Sequence, residues 1–210
     1  MTETLATIRT RVQRFVGTAI NATIDDAIAE YHKTLQQEYD YRFMQTSGVI
    51  DVGAGDTTFP LPSDFKQEVN PEISDADGTG YRRMKKILKD GIESRNTGDT
   101  GRPRMYRIWG GAGHLYAKAD QDYTFPLEYF RWLPTPSETA YADDDRAQAF
   151  LNEVHKAIEY FAISAGKRRM GKLDEANYWW DLAEHKRELL EDDDLDIELA
   201  NMDMQMEIPG

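Results

Sequence analysis

The sequence predicts an α+β protein: an antiparallel helical bundle interrupted by a small antiparallel β module and followed by an extended C-terminal arm. Three observations predict it. Four segments carry apolar residues at helical spacing, two near each end of the chain. Between them, Gly and Pro are frequent and apolar stretches are short. After the last helix, apolar residues alternate with acids. The expected division is residues 1–43 and 142–191 for the bundle, 44–141 for the β module and 192–210 for the arm.

The first helix is carried by Leu5, Ile8, Val12 and Phe15, spaced i, i+3, i+7, i+10, with Gly17 as its stop. The second opens near Thr23-Ile-Asp-Asp26, where a Thr precedes an acid by three residues, and faces inward with Ile24, Ile28, Tyr31, Leu35 and Tyr39. The third follows Asp143–Asp145, acids that suit a positive helix start. Its stripe is Phe150, Val154, Ala157, Ile158, Phe161 and Ala165; Lys167–Arg169 and Gly171 close it. The fourth is expected from about Leu173 to about Leu190, with Ala176, Trp179, Trp180, Ala183 and Leu190 inward. The short gap between the last two helices predicts an antiparallel hairpin.

In the middle section, Ser47–Val52 and Thr57–Leu61 flank Gly53-Ala-Gly55-Asp56 and read as a hairpin. Arg104–Trp109 and His114–Ala119 flank Gly110–Gly113 and read as another. Tyr123–Leu133 is a long strand, and Pro126 within it suggests an edge position, because proline has no N–H for a second neighbour.

The arm is carried by Leu195, Ile197 and Leu199, then Met202, Met204, Met206 and Ile208. Period two puts one apolar edge on an extended segment, suited to docking on another chain's sheet or groove. A frayed acidic tail with chance alternation is the plainer alternative.

The 210 residues include no cysteine, which excludes disulfides, thiolate metal sites and a Cys nucleophile. No apolar run approaches the ~20 residues a bilayer crossing needs, so a soluble protein without membrane contact is expected. Net charge is −13 and uneven. Glu191 to Gly210 holds eight acids and no Lys or Arg; Arg82 to Arg107 holds nine bases and three acids. The overall sign argues against tight DNA binding. The split permits an acidic arm to meet a basic face on another subunit, with Arg82, Arg83, Lys85 and Lys86 as the weaker interface candidates; two solvated runs would read the same way.

Signals for chemistry are thin. Val49-Ile-Asp-Val-Gly-Ala-Gly55 superficially matches the loop of S-adenosylmethionine-dependent methyltransferases, but Pro60 and Pro62 bar the helix that must follow it. His32, His114, His155 and His185 show no metal-ligand spacing, and the Asp143–Asp145 and Asp192–Asp194 runs lack the alternation of a calcium loop. No catalytic residue, cofactor or metal is therefore expected, and the protein is not expected to be an enzyme.

Three steps occur in order: Leu61-Pro-Ser-Asp-Phe65, Gly101-Arg-Pro-Arg-Met-Tyr106, and Tyr123-Thr-Phe-Pro-Leu-Glu-Tyr129 before a helical pair. The set resembles the head–tail adaptor proteins of short-tailed phages over roughly residues 5 to 190; the last step is one position longer than the family pattern. The resemblance implies a structural virion protein at the neck, assembled in the host cytoplasm. It implies a ring, of twelve copies, below the portal protein, with a C-terminal arm embracing the portal or a neighbour. Its partners would be the portal, copies of itself and a downstream tail or nozzle protein, with genome DNA passing without specific binding. Another connector (a tail terminator or tail-tube adaptor) is the alternative within the same class. A methyltransferase using Gly53–Gly55 is the alternative outside it.

Overall fold

The computed structural model describes residues 2–69, 72–73, 84–87, 99–141 and 143–206; for 72–73 and 193–206 the backbone alone is described. The chain forms two compact units, one of residues 1–44 with 133–210 and one of residues 45–132.

The first unit is helical. Helix α1 (Leu5–Val16) starts at a reciprocal capping box: Thr4 Oγ1 accepts from the Thr7 N–H at 3.2 Å, and Thr7 Oγ1 accepts from the Thr4 N–H at 2.8 Å. It ends at Gly17, whose φ of 79° only glycine adopts without strain. Helix α2 (Asn21–Glu38) begins earlier than expected, with Ile20 rather than Thr23 at its cap. Arg9 joins the two, its Nε 2.6 Å from Asp25 Oδ1. A short 3₁₀ turn (Arg42–Met44) ends the segment.

Helix α3 (Asp145–Arg169) is capped by Asp144, whose side chain accepts from the Ala147 N–H at 2.9 Å. It packs on α1, α2 and helix α4 (Leu173–Met206), and so forms the centre of the bundle. Ile8, Val12, Ile24, Ile28, Leu35, Phe150, Val154, Ile158 and Ile163 are buried here, matching the helical spacing. Phe15 and Trp180 depart from it. Expected inward, they are 46% and 38% exposed, because neither α1 nor α4 is covered along its whole flank.

Helix α4 also departs from expectation. Residues 192 to 206 are not extended: the helix runs on to Met206. Neither Gly nor Pro interrupts Leu173–Met206, and Leu, Glu, Ala, Met and Gln favour helix. Leu195, Leu199, Met202 and Met206 also stand at i, i+4, i+7, i+11, so this segment satisfies both periods.

The second unit is β. Strands β1 (Gln45–Val52), β8 (Tyr123–Arg131) and β3 (Phe65–Glu68) form one sheet in the order β1-β8-β3. The other sheet runs β2 (Thr58–Pro60), β7 (Ala112–Leu115), β6 (Met105–Trp109), β5 (Met84–Lys86), β4 (Glu72–Ile73). One core joins them, from Ile50, Val52, Phe59, Met84, Tyr106, Leu115, Phe125 and Leu127.

The expected hairpin across Gly53–Asp56 does not form. Strand β1 pairs with β8, and β2 with β7, so this turn carries the chain from one sheet to the other. It is held by the Gly53 N–H to Asp56 Oδ2 (2.9 Å) and the Ala54 N–H to Asp122 Oδ1 (2.8 Å). The second hairpin does form, with a tighter turn than expected. Trp109 pairs with Ala112, and Gly110 and Gly111 alone turn the chain, at φ 61° and 79°. The sheets are not purely antiparallel, since β5 and β6 run parallel. Pro126 lies in a central strand rather than an edge. The β3 ladder reaches only Tyr129–Arg131, so at Pro126 the strand is laddered to β1 alone and needs no second donor.

Candidate interaction surfaces

Three residue pairs set how far α4 runs beside its neighbours. Ser164 Oγ–H donates to the Ala176 carbonyl at 2.7 Å, Phe161 packs on Trp180 at 5.4 Å, and Tyr160 packs on Trp179 at 5.6 Å. Continued along two antiparallel helices, this register brings Asp145, the first residue of α3, opposite Leu195. Helix α2 runs the other way relative to α3. Tyr31 meets Glu184 and Glu38 faces Arg187, so α2 also ends before residue 192 is reached. The backbone of α4 beyond Leu195 therefore outruns both helices. Leu195, Ile197, Leu199, Met202, Met204 and Met206 fall on this projecting end; Ile208 lies outside the described residues.

The other predicted set falls only partly among the described residues. Lys85 and Lys86 stand in β5, while Arg82 and Arg83 lie outside the described residues. Lys85 is exposed, but Lys86 is ion-paired with Glu68, a nearly buried carboxylate on β3. Part of the basic run thus serves to neutralise a charge inside its own unit.

Sequence periodicity missed a groove between α2 and α4, floored by α3. The cavity is about 680 Å³, with Tyr31, Phe161, Ser164 and Trp180 among its lining residues. Tyr31 stacks on Phe161 at 4.3 Å with an interplanar angle of 11°. At one end the Tyr31 O–H donates to Glu184 Oε1 at 3.1 Å, and Arg187 sits 3.0 Å from Glu184 Oε2 and 3.8 Å from Glu38 Oε2. Burial, and the Glu184 carboxylate beside it, push the Tyr31 hydroxyl far above its ordinary range, so it stays a donor. At the other end Arg168 and Arg169, exposed on the last turn of α3, line the groove. The signal available in the sequence was Lys167–Arg169, which the helix-end role absorbed.

In the β unit, Trp109 is 60% exposed beside the Gly110-Gly111 turn, with the Arg107 guanidinium 5.8 Å from its ring centre and the His114 ring 5.8 Å away. The Gly53–Gly55 loop is followed by β2, not by the phosphate-facing helix a methyltransferase loop requires. Among the described residues no group of His, Cys, Asp and Glu is arranged to hold a metal ion, and no helix is long and apolar enough to cross a membrane.

Comparison with protein families supplies the class: a structural component of the phage head–tail junction. The family is that described as SU10 adaptor protein; its model matches residues 3–201, nearly the whole chain, and the chain belongs to it. Among curated proteins none matches the chain.

Proposed function

We propose that the chain is a head-to-tail adaptor that assembles as a ring on the portal protein, retains the packaged DNA and offers the platform for the tail. The observation that carries this beyond family membership is the end of α4. A helix that outruns both neighbouring helices while carrying Leu195, Ile197, Leu199, Met202, Met204 and Met206 has apolar residues to bury on another chain. The flexible Met side chains tolerate an imperfect groove. The net charge of −13 suits a channel wall along which DNA phosphates slide without binding. The residues act by packing, with Ile208 in the same apolar set and Arg82, Arg83 and Lys85 as secondary contacts, Lys86 being held by Glu68.

Purified protein mixed with portal particles tests the reading. Electron microscopy should show a ring decorating the portal vertex, and a chain lacking residues 192–210 should decorate poorly. Bare portals in the presence of excess full-length protein would refute the adaptor role. Decoration by the truncated chain equal to that of the full chain would refute the role of the α4 end.

A further inference from the structure

We propose that the groove between α2 and α4 receives the acidic, methionine-rich end of α4 from a second copy of the chain. The inference rests on the reading above only in that copies meet one another. It names the surface on which they do so.

The groove suits an occupant with negative charge at its arginine end and an apolar body along the rest. Its floor is aromatic, and Trp180 is 38% exposed over it, a large apolar surface left to water. Its open end carries Arg168 and Arg169. The opposite end carries Glu38 and Glu184, which share the single Arg187 cation with Glu191 and leave that end net negative, so an acidic segment is favoured only at the arginine end. Glu30, on the α2 rim, also opposes an acidic guest, but it is exposed, where water screens it.

Residues 192–206 match that description in order. Asp192, Asp193, Asp194, Asp196 and Glu198 crowd the first half; Leu199, Met202, Met204 and Met206 dominate the second. Laid in the groove, the acidic half lies by Arg168 and Arg169 and the Met-rich half covers Phe161 and Trp180. Sulfur against aromatic rings adds to the burial.

The same molecule cannot supply the guest. Within α4, Trp180 and Met202 are separated by about 33 Å at 1.5 Å per residue. Arg168 and Arg169 lie at the far end of α3 from Asp145, which the projecting end of α4 passes. The contact must be made between copies. It joins two different surfaces, so it is head-to-tail, the type of contact that closes into a ring.

The test uses the full chain and a fluorescent peptide of residues 191–210. Anisotropy should show saturable binding that weakens as salt rises. The variants Arg168→Glu with Arg169→Glu, and separately Trp180→Ala, should each weaken it by about tenfold or more. Arg168 and Arg169 are exposed, so circular dichroism should show an unchanged fold, and sedimentation should show reduced self-association in the double variant. Unchanged peptide affinity in the double variant would overturn the proposal, as would displacement of the peptide by inorganic phosphate alone. A peptide that binds portal particles but not this chain would overturn it too, while leaving the adaptor reading intact.

Discussion

The ring of Phe59 lies across Gly113, its register partner on β7: a Cβ at position 113 would stand 1.9 Å from Phe59 Cζ. The glycine is there because the ring occupies the space a side chain would take. Phe59 is 1% exposed and part of the core that joins the two sheets. Gly113→Ala must therefore expel a fully buried ring. The expected cost is roughly 3 kcal/mol or more, read as a lower denaturation midpoint of the β unit. Phe59→Leu in the Gly113→Ala background should recover part of it.

Gly166 makes a helix-packing counterpart. In an open helix, Gly→Ala stabilises by about 1 kcal/mol. Here the added Cβ would meet Val16 Cγ1 at 2.9 Å and Ile20 Cδ1 at 3.2 Å. Crowding between α1 and α3 should outweigh the helix gain, leaving a net loss of roughly 1–2 kcal/mol. Val16→Ala beside Gly166→Ala should score better than the product of the two single effects.

The His32 ring is buried, with Gln36 Nε2 3.0 Å from Nδ1 and the Phe150 ring edge-on at 5.4 Å. Burial pushes its pKa down to about 4 from an ordinary value of 6.5. The unfolded chain therefore takes up a proton before the folded one does. The stability that neutral His32 permits is complete above pH 6.5 and falls as pH drops toward 4, by roughly 3 kcal/mol in all. Urea midpoints measured between pH 7 and pH 4 should show this slope, and His32→Gln should flatten it.

Arg11 holds two nearly buried carboxylates, Glu3 at 2.6 Å and Glu159 at 2.9 Å. Burial raises the Glu3 pKa, but hydrogen bonds from Arg11 and Thr7 outweigh it and bring the pKa below the usual carboxylate value. The stability this contributes is present above the unfolded carboxylate pKa and is lost as pH falls through the lowered one. Arg11→Met should cost about 3 kcal/mol at pH 7, because it strands a buried charge. The penalty should shrink at acid pH, as Glu3 takes up a proton. An equal penalty at both pH values would mean that Arg11 acts through packing alone.

What was readable in the sequence was local. Ile8, Val12, Ile24, Ile28, Phe150 and Val154 repeat at helical spacing because each helix buries one stripe, and those residues are buried. Gly110-Gly111 announced a turn because both positions need positive φ. The partner of β1 was not readable. Val52 sits next to the Gly53 turn and pairs instead with Tyr123, more than seventy residues away. Nor was the path of residues 192–206, whose apolar positions satisfy a strand period and a helix period together.

By itself the sequence determined the kinds of element, their order, and the contrast between an acidic terminus and a basic run from Arg82 to Arg107. Those follow from propensity, periodicity and charge, which act between neighbours in the chain. Only the tertiary structure decided that β8 is central, that Trp180 opens onto a groove, and that α4 passes the ends of α2 and α3. Those depend on which distant segments come to lie side by side. That choice is made by shape and burial over the whole unit, and no local stretch of residues encodes it.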